Sequence, residues 1–284
     1  MDKKTSPYII FNGDLKLHDE FTSPIYSSRA AKYGDSFFET IKLFKGLPLN
    51  FYLHFQRIVK TAKLLKYDLP EMWDESFFEA LIAKMLRANE VEYGKINIIF
   101  SRDTNGLYMP NDKVFNLFMS VMEEKHSLQA YTLNEIGLKL GEYRELIKNS
   151  NFTSTLKTGN ALTYVLAAIY AKNNKYDECL LFNENGRVAE CISSNIILIK
   201  NEALISPPIA EYGLDGVMKK VVFQKAEAYG YITQHYPIFA EDLFNASEII
   251  LTNSVQGIQW VGNYRGKSYL CPIAKNLLSI LNKV

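Results

Sequence analysis

The chain has 284 residues, which is too long for one comfortable core and suits two compact domains. Its 32 basic and 31 acidic residues form no stripe of positive charge, which argues against nucleic acid as a partner. The three cysteines, Cys179, Cys191 and Cys271, are odd in number and widely separated, as is typical of a protein from a reducing compartment such as the cytoplasm. We expect neither a secretion signal at Met1–Lys4 nor a membrane span, because no apolar run approaches about 18 residues.

The first part of the chain is predicted to contain two hairpins, two helices and two further strands. Asn-Gly and Lys-Gly pairs mark the hairpin turns, because glycine tolerates the positive φ angles of a tight turn. Apolar residues spaced by four and three predict an amphipathic helix. In chain order these elements are the hairpins Tyr8–Leu17 and Phe37–Leu49, the helix Phe51–Leu65, a helix capped by Asp74, and strands near Ile96–Ser101 and Val114–Met122.

A polar stretch without periodicity, residues 123–129, is the predicted linker between an N-terminal lobe, residues 1–122, and a C-terminal lobe, residues 130–284. Strands and helices are mixed in both lobes, so the predicted class is α/β or α+β. The elements predicted after the linker are a strand near Gly137–Tyr143, a helix over Asn160–Asn173, a hairpin turning at Asn183–Gly186, strands at Val188–Glu190 and Ile196–Ile199, a helix from Gly216 to Gly230, a strand closed by Thr252–Ser254, and a last helix at Ile273–Leu281.

Standard catalytic motifs are absent from the sequence: there is no Gly-x-Gly-x-x-Gly after a strand, no P-loop, no His-Glu-x-x-His and no Gly-x-Ser-x-Gly. The four histidines are too scattered for a metal site on one element, so no catalytic metal is expected. Taken singly, Lys157 is typical of a solvated lysine, Arg57 of an exposed helix residue, and Glu190 of a strand carboxylate.

Considered together, four segments in a fixed order resemble the class IV aminotransferase family, the pyridoxal 5′-phosphate (PLP) enzymes of fold type IV. The segments are Tyr33–Thr40, His54–Arg57, Lys157–Asn160, and the longest pattern, Glu190–Asn195 with Leu204–Ser206 and Leu214–Lys219. Ile197 and Ser206 depart from the family pattern, where an aromatic residue and a threonine are usual. Neither departure alters a charge, so they bear on the subgroup rather than on the cofactor.

The resemblance implies a two-lobed fold like that of D-amino-acid aminotransferases, with a small N-terminal α/β lobe and a larger C-terminal pseudo-barrel lobe. It implies that Lys157 is the catalytic residue, holding PLP as a Schiff base, that Glu190 meets the pyridine nitrogen, and that Arg57 meets the phosphate. It also implies a homodimer whose partner completes the substrate pocket. The remaining cofactor-binding residues that it implies are Ser194, Asn195, Gly216, Val217, Met218, Asn253 and Ser254.

The resemblance favours one subgroup, the 4-amino-4-deoxychorismate lyases of folate biosynthesis, which release pyruvate to leave 4-aminobenzoate. Gly216–Lys219 and Thr252–Ser254 are more similar to lyase loops than to branched-chain aminotransferase loops, and the Arg-x-His pair usual in D-amino-acid aminotransferases is missing after Arg102. The alternatives are an aminotransferase for branched-chain or D-amino acids and, more remotely, a PLP-binding protein without turnover. The expected substrate-binding residues are Lys32, Phe38, Arg102 and Tyr108.

Overall fold

The computed structural model of the chain describes residues 8–17, 28–102, 106–111 and 115–283. Three features considered above lie outside the described residues: the start of the chain, where no secretion signal is expected, His18, and the centre of the segment after Arg102, residues 103–105. Among the described residues, no helix has both the length and the apolar character needed to cross a membrane.

Two compact units make up the structure. The first unit contains the chain up to Leu128 together with Lys157–Asn160, and the second contains Gln129–Leu156 and the chain from Ala161 onward. The sequence assigned Lys157–Asn160 to the C-terminal lobe, whereas in the structure these four residues group with the first unit. Backbone hydrogen bonds explain the difference: the N–H of Phe38 donates to the carbonyl of Lys157 at 2.9 Å, and the N–H of Gly159 donates to the carbonyl of Ser36 at 2.9 Å.

An antiparallel six-stranded sheet and three helices form the first unit. The strand order is β2-β1-β6-β5-β3-β4. The strands are β1 Tyr8–Phe11, β2 Asp14–Leu17, β3 Ser36–Phe44, β4 Leu47–Pro48, β5 Gly94–Arg102 and β6 Phe115–Glu123, and the helices are α1 Arg29–Tyr33, α2 Phe51–Leu64 and α3 Glu75–Asn89.

The sequence patterns of this unit predict its elements well. Both hairpins are confirmed, and the Asp74 side chain caps α3 by accepting a hydrogen bond from the N–H of Phe77 at 2.9 Å. Strand β3 is buried at every second residue, as expected for a strand with one face on a core. Its buried positions include Phe37 and Ile41, which pack into the core below α2 and α3, and also the charged Glu39.

A nine-stranded, curled sheet forms the frame of the second unit, in the order β12-β11-β10-β13-β14-β7-β8-β9, with β15 paired to β14. The strands are β7 Leu138–Lys148, β8 Glu178–Asn183, β9 Val188–Cys191, β10 Asn195–Lys200, β11 Ala203–Ser206, β12 Thr233–His235, β13 Glu248–Asn253, β14 Gly257–Tyr264 and β15 Lys267–Ser268, and the helices are α4 Leu162–Asn173, α5 Val217–Ala228, α6 Ala240–Asn245 and α7 Pro272–Leu281. The mixed α/β class predicted from the sequence is confirmed.

Helix α4 carries its large apolar side chains on an exposed face. Leu162, Val165 and Ile169 are 67%, 52% and 52% exposed, whereas the small Ala167 and Ala171 are buried against the sheet. Small residues let the helix approach β7 and β8 closely. The sequence predicted this helix but not which of its faces lies inward, because both faces are apolar.

Candidate active site

Lys157 lies beside β3 in the first unit. Its carbonyl accepts a hydrogen bond from the N–H of Phe38, and the next residue, Thr158, forms a bridge with Phe37. The Lys157 ammonium lies 4.2 Å from the centroid of the Phe38 ring, which is within the range of a cation–π contact. The structure thus brings together two residues that the sequence named separately, Lys157 as the catalytic amine and Phe38 as a substrate contact.

Arg57 is buried on α2 and is held by a carboxylate of the neighbouring sheet. Its Nε and Nη2 donate to Oε1 and Oε2 of Glu39, both at 2.7 Å, in a bidentate pair. His54, one turn earlier on α2, also meets Glu39, with Nδ1 2.8 Å from Oε2. These three side chains are each at least nine-tenths buried, so Arg57 is not the exposed helix residue that its sequence context alone suggests.

The charges of this buried cluster support one another. Burial acts to raise the pKa of Glu39, but the guanidinium of Arg57 and the hydrogen bonds from Arg57 and His54 outweigh it and lower the pKa to about 2. Burial lowers the pKa of His54, with Glu39 acting in the opposite direction. The ring is therefore neutral at neutral pH, and we assign the proton to Nδ1, which faces the carboxylate.

Arg102, which the sequence predicts to bind substrate, forms contacts within the first unit. Its guanidinium bonds to the carboxylate of Asp35 and to the carbonyl of Leu65, and it lies 4.1 Å from the centroid of the Tyr67 ring. These contacts leave the side chain 13% exposed. The geometry therefore favours a structural use of Arg102 rather than binding of a substrate carboxylate.

Tyr108 and Lys32, the other expected substrate contacts of this unit, are at its surface. The Tyr108 side chain is 87% exposed, with its ring 5.5 Å from that of Tyr33, and Lys32 is exposed on α1. The backbone at Tyr108 is nevertheless fixed, because the buried Arg29 donates to the carbonyls of Leu107 at 2.6 Å and of Tyr108 at 2.9 Å. Both exposed side chains are therefore accessible to a solute.

Glu190 is buried on β9 in the second unit and accepts hydrogen bonds from three donors. The backbone N–H of Leu214 donates to its Oε2 at 2.9 Å, the hydroxyl of Tyr164 donates to Oε1 at 2.7 Å, and the ammonium of Lys148 also bonds to Oε1. Its side chain is 4% exposed. The carboxylate is thus fixed in the core rather than solvated at a turn.

Asn195 and Gly216 are locked together beside the start of α5. The Asn195 amide donates to the carbonyl of Leu214 at 2.8 Å, and a Cβ placed on Gly216 would lie 1.7 Å from Asn195 Oδ1. Only glycine permits this approach. Ser194 and Asn253 belong to the same cluster, because Asn253 Nδ2 donates to Ser194 Oγ at 3.2 Å. The structure therefore brings four of the expected cofactor-binding residues to one edge of the sheet.

The first turn of α5 has the character of an anion site. Val217 and Met218 begin the helix after Gly216, no side chain caps it, and its first turn contains no acidic residue. Backbone N–H groups at such an end carry partial positive charge and can bind a phosphate. Lys219 adds a buried ammonium, whose pKa is lowered by burial and raised in part by Asp215 and Glu190. Ser254 lies in the turn after β13, half-buried.

The expected cofactor residues therefore fall into two sets, one in each unit, and each set fits a part of PLP. In the first unit they are an amine and a buried arginine; in the second they are a buried carboxylate and an uncapped helix end. Glu39, His54, Lys148 and Tyr164 were not among the expected site residues. Glu39 and His54 lie within the segments Tyr33–Thr40 and His54–Arg57, and Glu39 is also a charged residue at an inward position of an alternating strand.

Comparisons with known proteins show the family of the chain. The family model for amino-transferase class IV matches residues 36–264. The branched-chain-amino-acid aminotransferase of Escherichia coli (strain K12) is 25% identical over 274 residues, covering 94% of this chain and 87% of that protein. The aminodeoxychorismate lyase of Vibrio harveyi is 24% identical over 230 residues, covering 81% and 83%. The solved branched-chain amino acid aminotransferase of T.th. with pyridoxamine 5′-phosphate has a TM-score of 0.86 at 23% identity, covering 99% and 94%.

The family model identifies the chain as an enzyme of a PLP-dependent class. More specifically, the chain belongs to the class IV aminotransferase family, whose model spans most of its length. Relatives in that family are named both as transaminases and as lyases.

Proposed function

We propose that this enzyme is a 4-amino-4-deoxychorismate lyase, which binds PLP through Lys157, Glu190 and Arg57 and releases pyruvate to leave 4-aminobenzoate. The observation that carries the proposal is the loop pair Gly216–Lys219 and Thr252–Ser254, whose residues are similar to lyase loops. Similarity to the lyase of Vibrio harveyi over 81% of the chain supports it.

PLP, when bound, supplies an electron sink for the negative charge that develops at the substrate Cα. Lys157 would hold the cofactor's aldehyde through its amine, and once the amino group of the substrate displaces it, the freed Nζ would take the proton from the substrate Cα. Glu190 would accept a hydrogen bond from the pyridine N–H and so keep the sink effective. Phe38 covers the Lys157 amine on one side and restricts the access of water to it.

The phosphate is the part of PLP that needs positive charge and hydrogen-bond donors. In the second unit, the N–H groups of Val217 and Met218 would supply the helix end, and Ser194, Asn253 and Ser254 would add polar side chains. In the first unit, Arg57 would add a guanidinium whose orientation Glu39 fixes. Lys32 and Tyr108 remain the proposed substrate contacts, because both side chains are exposed.

A branched-chain aminotransferase is the second candidate, favoured by one observation: the relative from Escherichia coli is similar over 94% of this chain, a larger share than the lyase relative covers. That reaction would use the same Lys157 and Glu190 and would transfer the amino group of the substrate to a 2-oxo acid. A PLP-binding protein without turnover is the third, and the retained pair of Lys157 and Glu190 argues against it.

One assay separates the three candidates. Purified enzyme loaded with PLP is given aminodeoxychorismate, or an amino donor such as leucine with 2-oxoglutarate, and 4-aminobenzoate, pyruvate and glutamate are measured. Pyruvate and 4-aminobenzoate in equal amounts are expected. New glutamate without 4-aminobenzoate would replace the lyase with the aminotransferase, and no product from either mixture would leave a binding protein.

The role of Lys157 has a direct test that does not depend on the substrate. Borohydride treatment of the PLP-loaded protein, followed by peptide mapping, is expected to fix the cofactor on Lys157, and Lys157→Ala is expected to abolish the fixed label. Lys225→Ala is the matched control, since it removes another lysine of the second unit, whose Nζ donates to the carbonyl of Lys283 at 2.8 Å, and it should keep the label on Lys157. A label on any other lysine contradicts the assignment.

The proposal includes a cytoplasmic homodimer. The exposed apolar face of α4, with Leu162, Val165 and Ile169, supports a partner, since monomers seldom expose contiguous apolar patches. Cys179, Cys191 and Cys271 are free and buried, which suits a reducing compartment. Sedimentation of Val165→Glu is expected to give monomers, whereas Lys172→Glu on the same helix should remain dimeric; two monomeric or two dimeric variants would argue against this face.

A further inference from the structure

Lys148 forms a buried cluster with Glu190 and Tyr164 in the second unit. Lysine is rarely buried, yet the Lys148 side chain is 5% exposed and that of Glu190 4%. Lys148 is the last residue of β7, Glu190 lies on β9, and Tyr164 lies in the first turn of α4. Three separate elements therefore converge on one carboxylate, although the chemistry proposed above requires only Glu190.

The donors of Lys148 are completely used in this cluster. An ammonium has three N–H donors, and Lys148 Nζ bonds to the Ser154 carbonyl at 3.0 Å, to the Tyr164 hydroxyl at 2.8 Å and to Glu190 Oε1. The Tyr164 hydroxyl accepts from Lys148 and donates to Glu190 Oε1 at 2.7 Å. Such a network, with each member satisfied, resists rotation of the carboxylate.

The two oxygens of Glu190 are used unequally. Each carboxylate oxygen can accept about two hydrogen bonds. Oε1 accepts from Lys148 and Tyr164, so its capacity is filled, whereas Oε2 accepts only from the N–H of Leu214 among the described residues. One acceptor position on Oε2 therefore remains for a ligand, and the cluster fixes the direction in which it points.

Charge gives the cluster a second effect. A buried carboxylate without a cation favours its protonated form, and a neighbouring ammonium favours the ionised form. Burial and the neighbouring carboxylate of Glu190 both raise the pKa of Tyr164, so this hydroxyl keeps its proton and remains a donor. The ammonium of Lys148 also places a positive charge beside Glu190 Oε1.

We propose that Lys148 and Tyr164 are positioning residues that hold Glu190 oriented so that its Oε2 accepts the N–H of the cofactor's pyridine ring. The proposal rests on the proposed role of Glu190. Lys148 acts through Glu190 and does not itself touch the cofactor. It supplies the positive charge that makes a buried carboxylate available to a cationic ring.

The test uses the full-length protein with and without PLP. In Lys148→Met, which removes the charge and keeps a similar length, the PLP dissociation constant is expected to rise roughly tenfold, the loss typical of a bond to a charged group. The absorbance spectrum of the bound cofactor should also differ from that of wild type. Lys148→Arg should restore both properties to within about threefold of wild type, since it returns the charge.

A matched control separates positioning from general loss of stability. Lys42→Met removes another ion-paired lysine, whose Nζ lies 2.8 Å from Glu124 Oε2 in the first unit. It should lower the melting temperature without changing PLP affinity or the spectrum. Should Lys148→Met fail to fold, Tyr164→Phe decides, because it removes only one hydroxyl; an unchanged spectrum and PLP affinity there would overturn the proposal.

Glu190→Gln distinguishes failure of this inference from failure of the function beneath it. If Glu190→Gln alters the spectrum and weakens PLP binding while Lys148→Met and Tyr164→Phe match wild type, the positioning role is wrong and the role of Glu190 stands. If Glu190→Gln itself leaves both readouts unchanged, the proposed contact of Glu190 with the cofactor is wrong, and the positioning role is overturned with it.

Discussion

Arg57 and Glu39 form a buried bidentate ion pair, with Nε–Oε1 and Nη2–Oε2 distances of 2.7 Å each. The pair joins α2 to β3, so the guanidinium cannot move to a ligand without leaving Glu39 uncompensated. Arg57 is therefore both a part of the fold and the proposed phosphate contact. These two uses can be separated by experiment.

Arg57→Ala is expected to destabilise the protein without PLP by about 3–5 kcal/mol, because it strands a buried carboxylate. Urea unfolding of that protein measures this. The double variant Arg57→Met with Glu39→Gln removes both charges and should recover most of the stability, yet it should still bind PLP more weakly by about 2 kcal/mol or more. Wild-type affinity in the double variant would mean that Arg57 does not bind the phosphate.

Glu39 is expected to make the protein sensitive to acid. Its pKa is about 2 in the folded state and 4.5 in the unfolded chain, so its contribution to stability is complete above about pH 4.5 and is lost as the pH falls towards 2. The shift corresponds to about 3 kcal/mol. Unfolding free energies of wild type and Glu39→Gln, measured across that range, should converge as the pH falls. The Glu241 side chain is 75% exposed, so the unfolding free energy of Glu241→Gln should change with pH in parallel with that of wild type.

Glu178 is expected to have the opposite dependence on pH. Burial raises its pKa to about 7, although the N–H and hydroxyl of Ser193, both 3.1 Å from Oε2, act to lower it. Its contribution to stability is present below the unfolded pKa of 4.5 and is lost as the pH rises through about 7. In urea unfolding, the free energy of unfolding of wild type, relative to that of Glu178→Gln, should fall by about 3 kcal/mol between about pH 4.5 and pH 8. Parallel curves would contradict the raised pKa.

Gly216→Ala is expected to damage the start of α5. The new Cβ would force Asn195 away and break its bond to the Leu214 carbonyl, at a cost of about 1–3 kcal/mol in unfolding free energy. PLP affinity, measured by absorbance titration, should fall as well. Adding Asn195→Ala relieves the clash and should restore the free energy of unfolding. It should not restore PLP affinity, because the loop no longer has the hydrogen bond from Asn195 to the Leu214 carbonyl. Recovery of both would separate this loop from cofactor binding.

Substitution of Arg102 should change the stability of the protein, whereas substitution of Lys32 should change substrate binding. Arg102→Met removes the bonds to Asp35 and Leu65 and is expected to lower the unfolding free energy by about 2 kcal/mol, the cost of leaving a charged partner unmatched. Lys32→Ala removes an exposed side chain and should leave stability within about 0.5 kcal/mol while raising the KM for the substrate. A raised KM for Arg102→Met at unchanged stability would return Arg102 to the substrate site.

Local sequence determined the elements of this protein and, through resemblance, its family. The hairpin glycines, the Asp74 cap and the apolar stripe of α2 each act within a few residues, so they could be interpreted before any fold was known. The ordered segments around Arg57, Lys157 and Glu190 indicated a PLP enzyme in the same way, and the family comparison agrees.

Tertiary structure decided how those residues are held. The assignment of Lys157–Asn160 to the first unit rests on hydrogen bonds to residues about 120 positions earlier, and the bond from Lys148 to Glu190 spans 42 positions. No local period encodes such pairings, because a buried lysine or carboxylate has the same flanking pattern as a solvated one. Whether a charged side chain has a partner depends on which strands are neighbours in the fold. The fold places Arg102 beside Asp35 and Lys148 beside Glu190.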